Sequence, residues 1–202
     1  MSTKTRNIII IVGIIVLFVI IVIRSFVKTY DKAVVYEEDV KASWANVESA
    51  YQRRADLIPN LVNTVKGYKD FEQETLTRVI EARSKATQVN INPGNLNAEN
   101  IQKFQAAQEG LSSALSRLLV VVERYPDLKA NQNFLELQAQ LEGTENRINV
   151  ARNRFNNSVK LYNSYIRGLF RRWMLSVVGG EFQTKTPFEA RQGADVVPEV
   201  NF

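Results

Sequence analysis

The 202-residue chain contains no cysteine and no histidine. Without cysteine there is no disulfide framework, no thiolate metal site and no thiol nucleophile. Without histidine, Ser-His-Asp chemistry, H-E-x-x-H zinc sites and the E-x-x-H di-iron bundle are all excluded. Any catalysis would have to run on carboxylate, Lys, Tyr or Arg side chains, and no cofactor is expected. No strand pattern competes in strength with the helical spacing anywhere in the chain. Acidic residues are scarce in one place: residues 1–32 hold Lys4, Arg6, Arg24, Lys28 and Lys32 against Asp31, a net of +4. The remaining residues carry 21 basic and 20 acidic groups, so the basic balance sits in the first segment. A phosphate-binding protein would concentrate cations on its folded domain instead, and no nucleic-acid partner is expected.

What is present begins with Ile8–Ile23, an unbroken apolar run flanked by Arg6 and Arg24. Sixteen helical residues rise about 24 Å, and Phe26 and Val27 bring the segment close to a hydrocarbon core of ~30 Å once Arg24 and Lys28 snorkel to the headgroups. No polar face interrupts the run, and no A-x-A-like cleavage site follows it. The expectation is a short basic tail over 1–7 and an uncleaved transmembrane anchor over 8–27. Flank charges are nearly balanced and leave the orientation open.

Beyond the anchor the spacing predicts an all-α, elongated up-and-down bundle of three long antiparallel helices over 32–173. In the first, Val40, Trp44, Val47, Tyr51, Ile58, Val62 and Val65 share one face. Pro59 lies inside it, where the missing N–H leaves the Ala55 carbonyl without its helical partner, so a kink is expected there. The helix is expected to continue to about Gln88, followed by an Asn-rich loop around Pro93 and Gly94. Asn97 is placed to cap the second helix, whose buried face is Ile101, Phe104, Leu111, Leu115, Leu118 and Val122, and Pro126 ends it. In the third, Phe134, Leu141, Ile148, Phe155, Tyr162 and Leu169 recur every seven residues. Thr144, Ala151 and Ser158 stand three residues after members of that series and would let a neighbouring helix approach closely. A seven-residue repeat of this length implies coiled-coil-like packing, within the chain or between copies. Residues 174–202, with Gly179, Gly180, Pro187 and Pro198, lack helical period. They are expected to form an extended tail that packs back through Phe182, Phe188 and Phe202 or awaits a partner.

RRADLIPNLVNTVKGY at Arg53–Tyr68, EARSKA at Glu81–Ala86, NFLELQAQLEGTENRINVARNRFN at Asn133–Asn156 and PFEA at Pro187–Ala190 together resemble the LemA family. The tail residues Ala194, Pro198, Val200 and Phe202 fit its pattern. The resemblance implies a membrane-attached bacterial protein with a long helical bundle and no established activity. Lipoprotein signals in some members imply an extracytoplasmic bundle at the plasma membrane, and gene neighbourhood implies a TPM-domain protein as a partner. The segment from Gly168 to Thr186 departs from the family, which often carries a Pro/Gly-rich turn there.

Three clusters could carry function. Arg53, Arg54 and Asp56 interrupt the apolar stripe before Pro59; they form either a binding notch or an internal polar network with Glu145 and Arg147. Asp70, Glu72, Glu74 and Glu81 could offer oxygens to a hard cation, but one helix face converges few of them. From Asn146 to Trp173 there are seven basic residues and no acidic one. Of these, Arg167, Arg171 and Arg172, beside Trp173, are candidates for contact with lipid or an anionic partner; the bland alternative is a solvated helix face. The function expected from these features is a non-catalytic, membrane-anchored scaffold or adaptor of the bacterial envelope. The runner-up is a homo-oligomer that shapes or senses membrane, and an enzyme with an unrecognised carboxylate site comes third.

Overall fold

The computed structural model describes residues 3–68 and 71–189. These form six helices: α1 (Thr3–Lys66), α2 (Gln73–Gln88), α3 (Ala98–Val122), α4 (Pro126–Lys129), α5 (Gln132–Ile166) and α6 (Leu169–Val177). The described residues contain no strand. The three long helices of the expected bundle are α1, α3 and α5.

α1 runs for 64 residues without interruption, about 96 Å. Its first part is long and apolar enough to cross a membrane. Side chains from Ile9 to Ile21 stand about half exposed, as they would toward lipid. Burial begins at Thr29 and Ala33 and follows the predicted stripe: Val40, Trp44, Val47, Tyr51, Ile58, Val62 and Val65 are all buried. α5 lies antiparallel along this stripe. Ser43 meets Ser158 at 2.6 Å, and Arg54 meets Glu145 at 3.2 Å, so rising numbers on α1 pair with falling numbers on α5.

The expected continuation of α1 to Gln88 is not what forms. The helix stops at Lys66, the chain turns at Gly67 and Tyr68, and α2 runs back antiparallel to α1 and α3. Continuing straight would have left Leu76 and Val79 in solvent. Folding back buries both, with Ala86, against Ile58, Leu61 and Val65 of α1 and Leu111 and Leu118 of α3. Phe71 closes this end against Tyr125, ring centroids 5.0 Å apart. The far end is therefore four-layered, α1–α2–α3–α5 in up-down-up-down order, with α1 and α5 continuing together toward the apolar span.

Local signals explain the ends. The Asn97 side chain accepts the Asn100 N–H at 2.9 Å and the Asn131 side chain accepts that of Phe134 at 3.1 Å, capping α3 and α5. Pro126 opens α4 at a position where no N–H is needed. α5 does not reach Trp173: it ends at Ile166, and Leu169 stands 91% exposed, out of the seven-residue series. The chain re-forms a helix as α6, which continues past Trp173 to Val177 where an extended tail was expected. Gly179, at φ 77°, supplies the left-handed residue that ends it, and the Gly180 N–H closes onto the Leu175 carbonyl at 3.1 Å.

Candidate functional site

Pro59 sits inside α1 without breaking it. The Ala55 carbonyl, left without the N–H of residue 59, accepts instead from Arg83 Nε of α2 at 2.8 Å. A proline in one helix is thus answered by an arginine from the next, and the bond ties α2 to α1 where Ala55 is only 3% exposed.

One turn earlier, Arg54 points into the bundle and is 3% exposed. Its guanidinium donates to Glu145 of α5 at 3.2 Å, to Ser112 Oγ at 2.9 Å, and to Gln108 of α3 through both Oε1 (2.8 Å) and the main-chain carbonyl (3.2 Å). Its Cζ lies over the Tyr51 ring, 5.0 Å from the centroid. Gln108 completes the knot by donating to the Ala86 carbonyl of α2 at 3.2 Å. One arginine therefore joins all four layers. Arginine suits this place because its fork of donors can serve several acceptors at once, whereas a lysine head is a single point. Burial pushes the Tyr51 hydroxyl above its ordinary pKa, partly offset by Arg152 and Arg54, so it stays neutral here.

The five residues expected to share a notch or network are divided by the structure. Arg54 and Glu145 meet. Arg53 and Arg147 are exposed and line a different groove between α1 and α5, together with Arg154. Asp56 is exposed and held by Gln52 of its own helix at 2.7 Å. Gln108 and Ser112 complete the network; Gln108 fills the gap that the apolar stripe of α3 leaves between Phe104 and Leu111, a signal present in the sequence, whereas Ser112 carries none. Among the acids, Asp70 lies outside the described residues. Glu72 pairs with Arg124 and Glu74 with Arg78, and no three carboxylates converge among the described residues.

The seam of α5 faces α1. Phe134, Thr144, Ile148, Ala151, Phe155 and Tyr162 are buried, while Leu141 and Ser158 are partly so. Against the same seam lies the segment after α6, as an extended strap. Asn163 grips the strap at Lys185, donating to its carbonyl at 2.7 Å and accepting its N–H at 3.0 Å. Asn156 grips Phe188 in the same way, at 3.0 and 2.8 Å. Each asparagine offers the donor–acceptor pair that a neighbouring strand would, so an isolated extended segment keeps its main-chain bonds. Asn149, Asn156 and Asn163 recur every seven residues, a signal that was there to be read. Tyr162 donates to the Gln183 carbonyl at 3.0 Å, and burial raises its pKa strongly. Phe188 enters the aromatic core with Trp44, Phe104 and Phe155. Lys185, 7% exposed, reaches the Gly94 carbonyl at 2.9 Å and Glu37 at 3.3 Å. Phe182 packs edge-on to Tyr30, whereas Phe202 lies outside the described residues. Of the basic series, Arg152 is spent on this strap, stacking on Phe188 and donating to the Glu189 carbonyl.

Two further surfaces stay open among the described residues. At the far end, α2 and α3 enclose a groove of about 790 Å³, floored by Ala106, Ala107, Gly110 and Ala114 and walled by charged residues of α2. At the other end, α6 brings Arg167, Arg171, Arg172 and Trp173 together beside the apolar span. All four are exposed, the Trp173 ring stands 5.7 Å from that of Phe26, and Arg171 lies over Tyr165.

A sequence profile of the LemA family matches residues 43–202. Protein LemA of Metamycoplasma hominis is 24% identical over 155 residues, covering 75% of this chain and 67% of that protein. Magnetosome protein MamQ of Magnetospirillum gryphiswaldense and magnetosome protein MamQ 1 of Paramagnetospirillum magneticum are each 26% identical over 165 residues. Those matches cover 73% of this chain but only 61% of either MamQ protein, so the chain spans about three fifths of their length. With the profile covering all but the apolar span and the start of the bundle, the chain belongs to the LemA family.

Proposed function

We propose that this protein is a membrane-anchored, non-catalytic scaffold or adaptor of the bacterial envelope that works by protein–protein assembly, with its bundle on the extracytoplasmic side. The observation that carries the reading is the continuity of α1: one helix forms both the apolar span and the central pillar of the bundle. No flexible linker stands between anchor and domain, so the bundle's far end lies at a set distance from the span, about 57 Å along the 38 residues from Thr29 to Lys66. A device that positions something needs such rigidity. The buried Arg54 and the half-buried Arg83, Asn156 and Asn163 fit this role, because they are engaged in holding helices and strap together. The open α2–α3 groove, floored by small residues, suits a partner helix, and a second envelope protein such as a TPM-domain protein is the expected occupant. Two relatives are named for a cell structure and not for a reaction, which supports the same reading.

Crosslinking in native membranes followed by mass spectrometry tests it. Reproducible crosslinks from α2 and α3 to one second protein are expected. Crosslinks between copies alone would favour the homo-oligomer, and none at all would overturn the assembly role. Protease added to intact spheroplasts should digest the bundle; full protection would place it in the cytoplasm.

A further inference from the structure

α6 turns two faces to two environments. Met174 and Leu175 are buried, at 2% and 4% exposure, and the Thr29 hydroxyl of α1 donates to the Met174 sulfur at 3.8 Å. Leu169, Phe170, Trp173 and Val177 are 91, 66, 54 and 59% exposed. At about 100° per residue these four fall within one arc of the helix, so they form a single outward stripe. Four large apolar side chains on a nine-residue helix are a poor fit to water.

The position of the stripe says what covers it. Trp173 rests on Phe26 and Met174 on Thr29, and Phe26 is one residue from the end of the 8–27 anchor. α6 is therefore docked on α1 at the level where the span leaves the hydrocarbon. Cations collect at that level, with Arg24, Lys28 and Lys32 on α1 and Arg167, Arg171 and Arg172 around α6, against Asp31. No ion pair between these cations and a carboxylate occurs among the described residues. An apolar stripe with an aromatic residue, edged by arginines, at the depth of the headgroups is the pattern of an interfacial membrane helix.

We infer that α6 is a second membrane contact. Leu169, Phe170, Trp173 and Val177 insert below the headgroups of the leaflet that α1 leaves, and Arg167 and Arg172 meet lipid phosphates. A single helix leaves a bundle free to tilt and spin; two contacts on one rigid body fix both. The inference rests on the reading of residues 8–27 as a membrane span, and the test separates the two.

Because the chain lacks cysteine, single nitroxide labels can be placed by Phe170→Cys, Val177→Cys, Leu17→Cys and Lys160→Cys in the full chain, reconstituted in phosphatidylcholine–phosphatidylglycerol vesicles. Collision with oxygen, which concentrates in lipid, is compared with collision with a water-soluble nickel chelate. Labels at 170 and 177 should favour oxygen several-fold, as at 17, while the label at 160 favours nickel. Labels at 170 and 177 in water with 17 in lipid would overturn the second contact and leave the anchor standing. All four labels in water would overturn the span itself. Labels at 170 and 177 shielded from both reagents would show a protein on the stripe, a second copy or a partner, and would equally overturn the lipid contact.

Discussion

Arg83→Met should be costly only while Pro59 is present. In the parent, the Ala55 carbonyl has no N–H from residue 59 and depends on Arg83 Nε at 2.8 Å, in a place 3% exposed. Removing the guanidinium leaves a buried acceptor without that bond, a loss of about 1–3 kcal/mol. In a Pro59→Ala background the new N–H takes the carbonyl in ordinary helical fashion. Arg83→Met then costs no more than a substitution on a half-exposed face, within about 0.5 kcal/mol. For a chain of this length each kcal/mol moves the midpoint by about 2–4 °C. The penalty should therefore be about 2–12 °C in the parent and at most about 2 °C in the Pro59→Ala background. The assay is a double-mutant cycle on the full chain in detergent micelles, followed by loss of Trp44 fluorescence in the core, with Trp173 replaced by Phe throughout. Pro59→Ala alone should stabilise by less than the ~3 kcal/mol of an uncompensated helix proline, since Arg83 already offsets part of that cost. Equal Arg83→Met penalties in both backgrounds would refute the argument, because the arginine would then be acting through something other than the orphaned carbonyl.

Three further outcomes follow from the same geometry. Arg54→Met should destabilise by about 3–5 kcal/mol in chemical unfolding, since it strips a buried partner from Glu145 and Gln108 together; unchanged stability with lost partner binding would restore the notch reading. Ala151→Leu, in the seam against α1, should cost about 1–3 kcal/mol with a midpoint independent of protein concentration, and a concentration-dependent midpoint would place a second copy at the seam. Asn163→Ala removes the two bonds to the Lys185 main chain, each worth about 0.5–1.5 kcal/mol. The strap should become a preferred site of limited proteolysis between Gly179 and Glu189, and cleavage as slow as in the parent would show that its other contacts, through Tyr162, Asn156, Lys185 and Phe188, hold it without Asn163.

The helices and their buried faces were legible because each obeys a local rule. The stripes of α1 and α3 bury every residue that their spacing picks out, and Asn97 caps where it should. What the sequence did not disclose depends on residues far apart in the chain. The turn after Lys66 is decided by whether Leu76 and Val79 find a surface on α1 and α3, and periodicity alone is the same for a straight helix and a folded one. Arg83 reads as an ordinary charged helix residue until the fold of α2 onto α1 brings it to the carbonyl that Pro59 leaves unpaired. The candidate network failed in part for a simple reason: Arg53 and Arg54 are adjacent, so a helix must send them about 100° apart, and only one could enter the core. Glu145 pairs with Arg54 as expected; of the arginine's acceptors on α3, Gln108 fills the gap in the apolar stripe between Phe104 and Leu111, a polar residue at a core position that was legible, whereas Ser112 carries no such mark. The strap's hold on α5 was hidden in asparagines whose seven-residue spacing follows the apolar series one place later.

The central claim is that anchor and bundle are one rigid body. Ala130→Cys, labelled at its exposed position beyond α4 with a fluorescent donor, reports the height of the far end by energy transfer to acceptors on lipid headgroups in vesicles. The account predicts a narrow distribution of heights close to the ~57 Å that α1 rises beyond its span. A broad distribution, or a far end within about 30 Å of the surface, roughly half that rise, would mean that α1 bends or that the bundle lies down, and would contradict it.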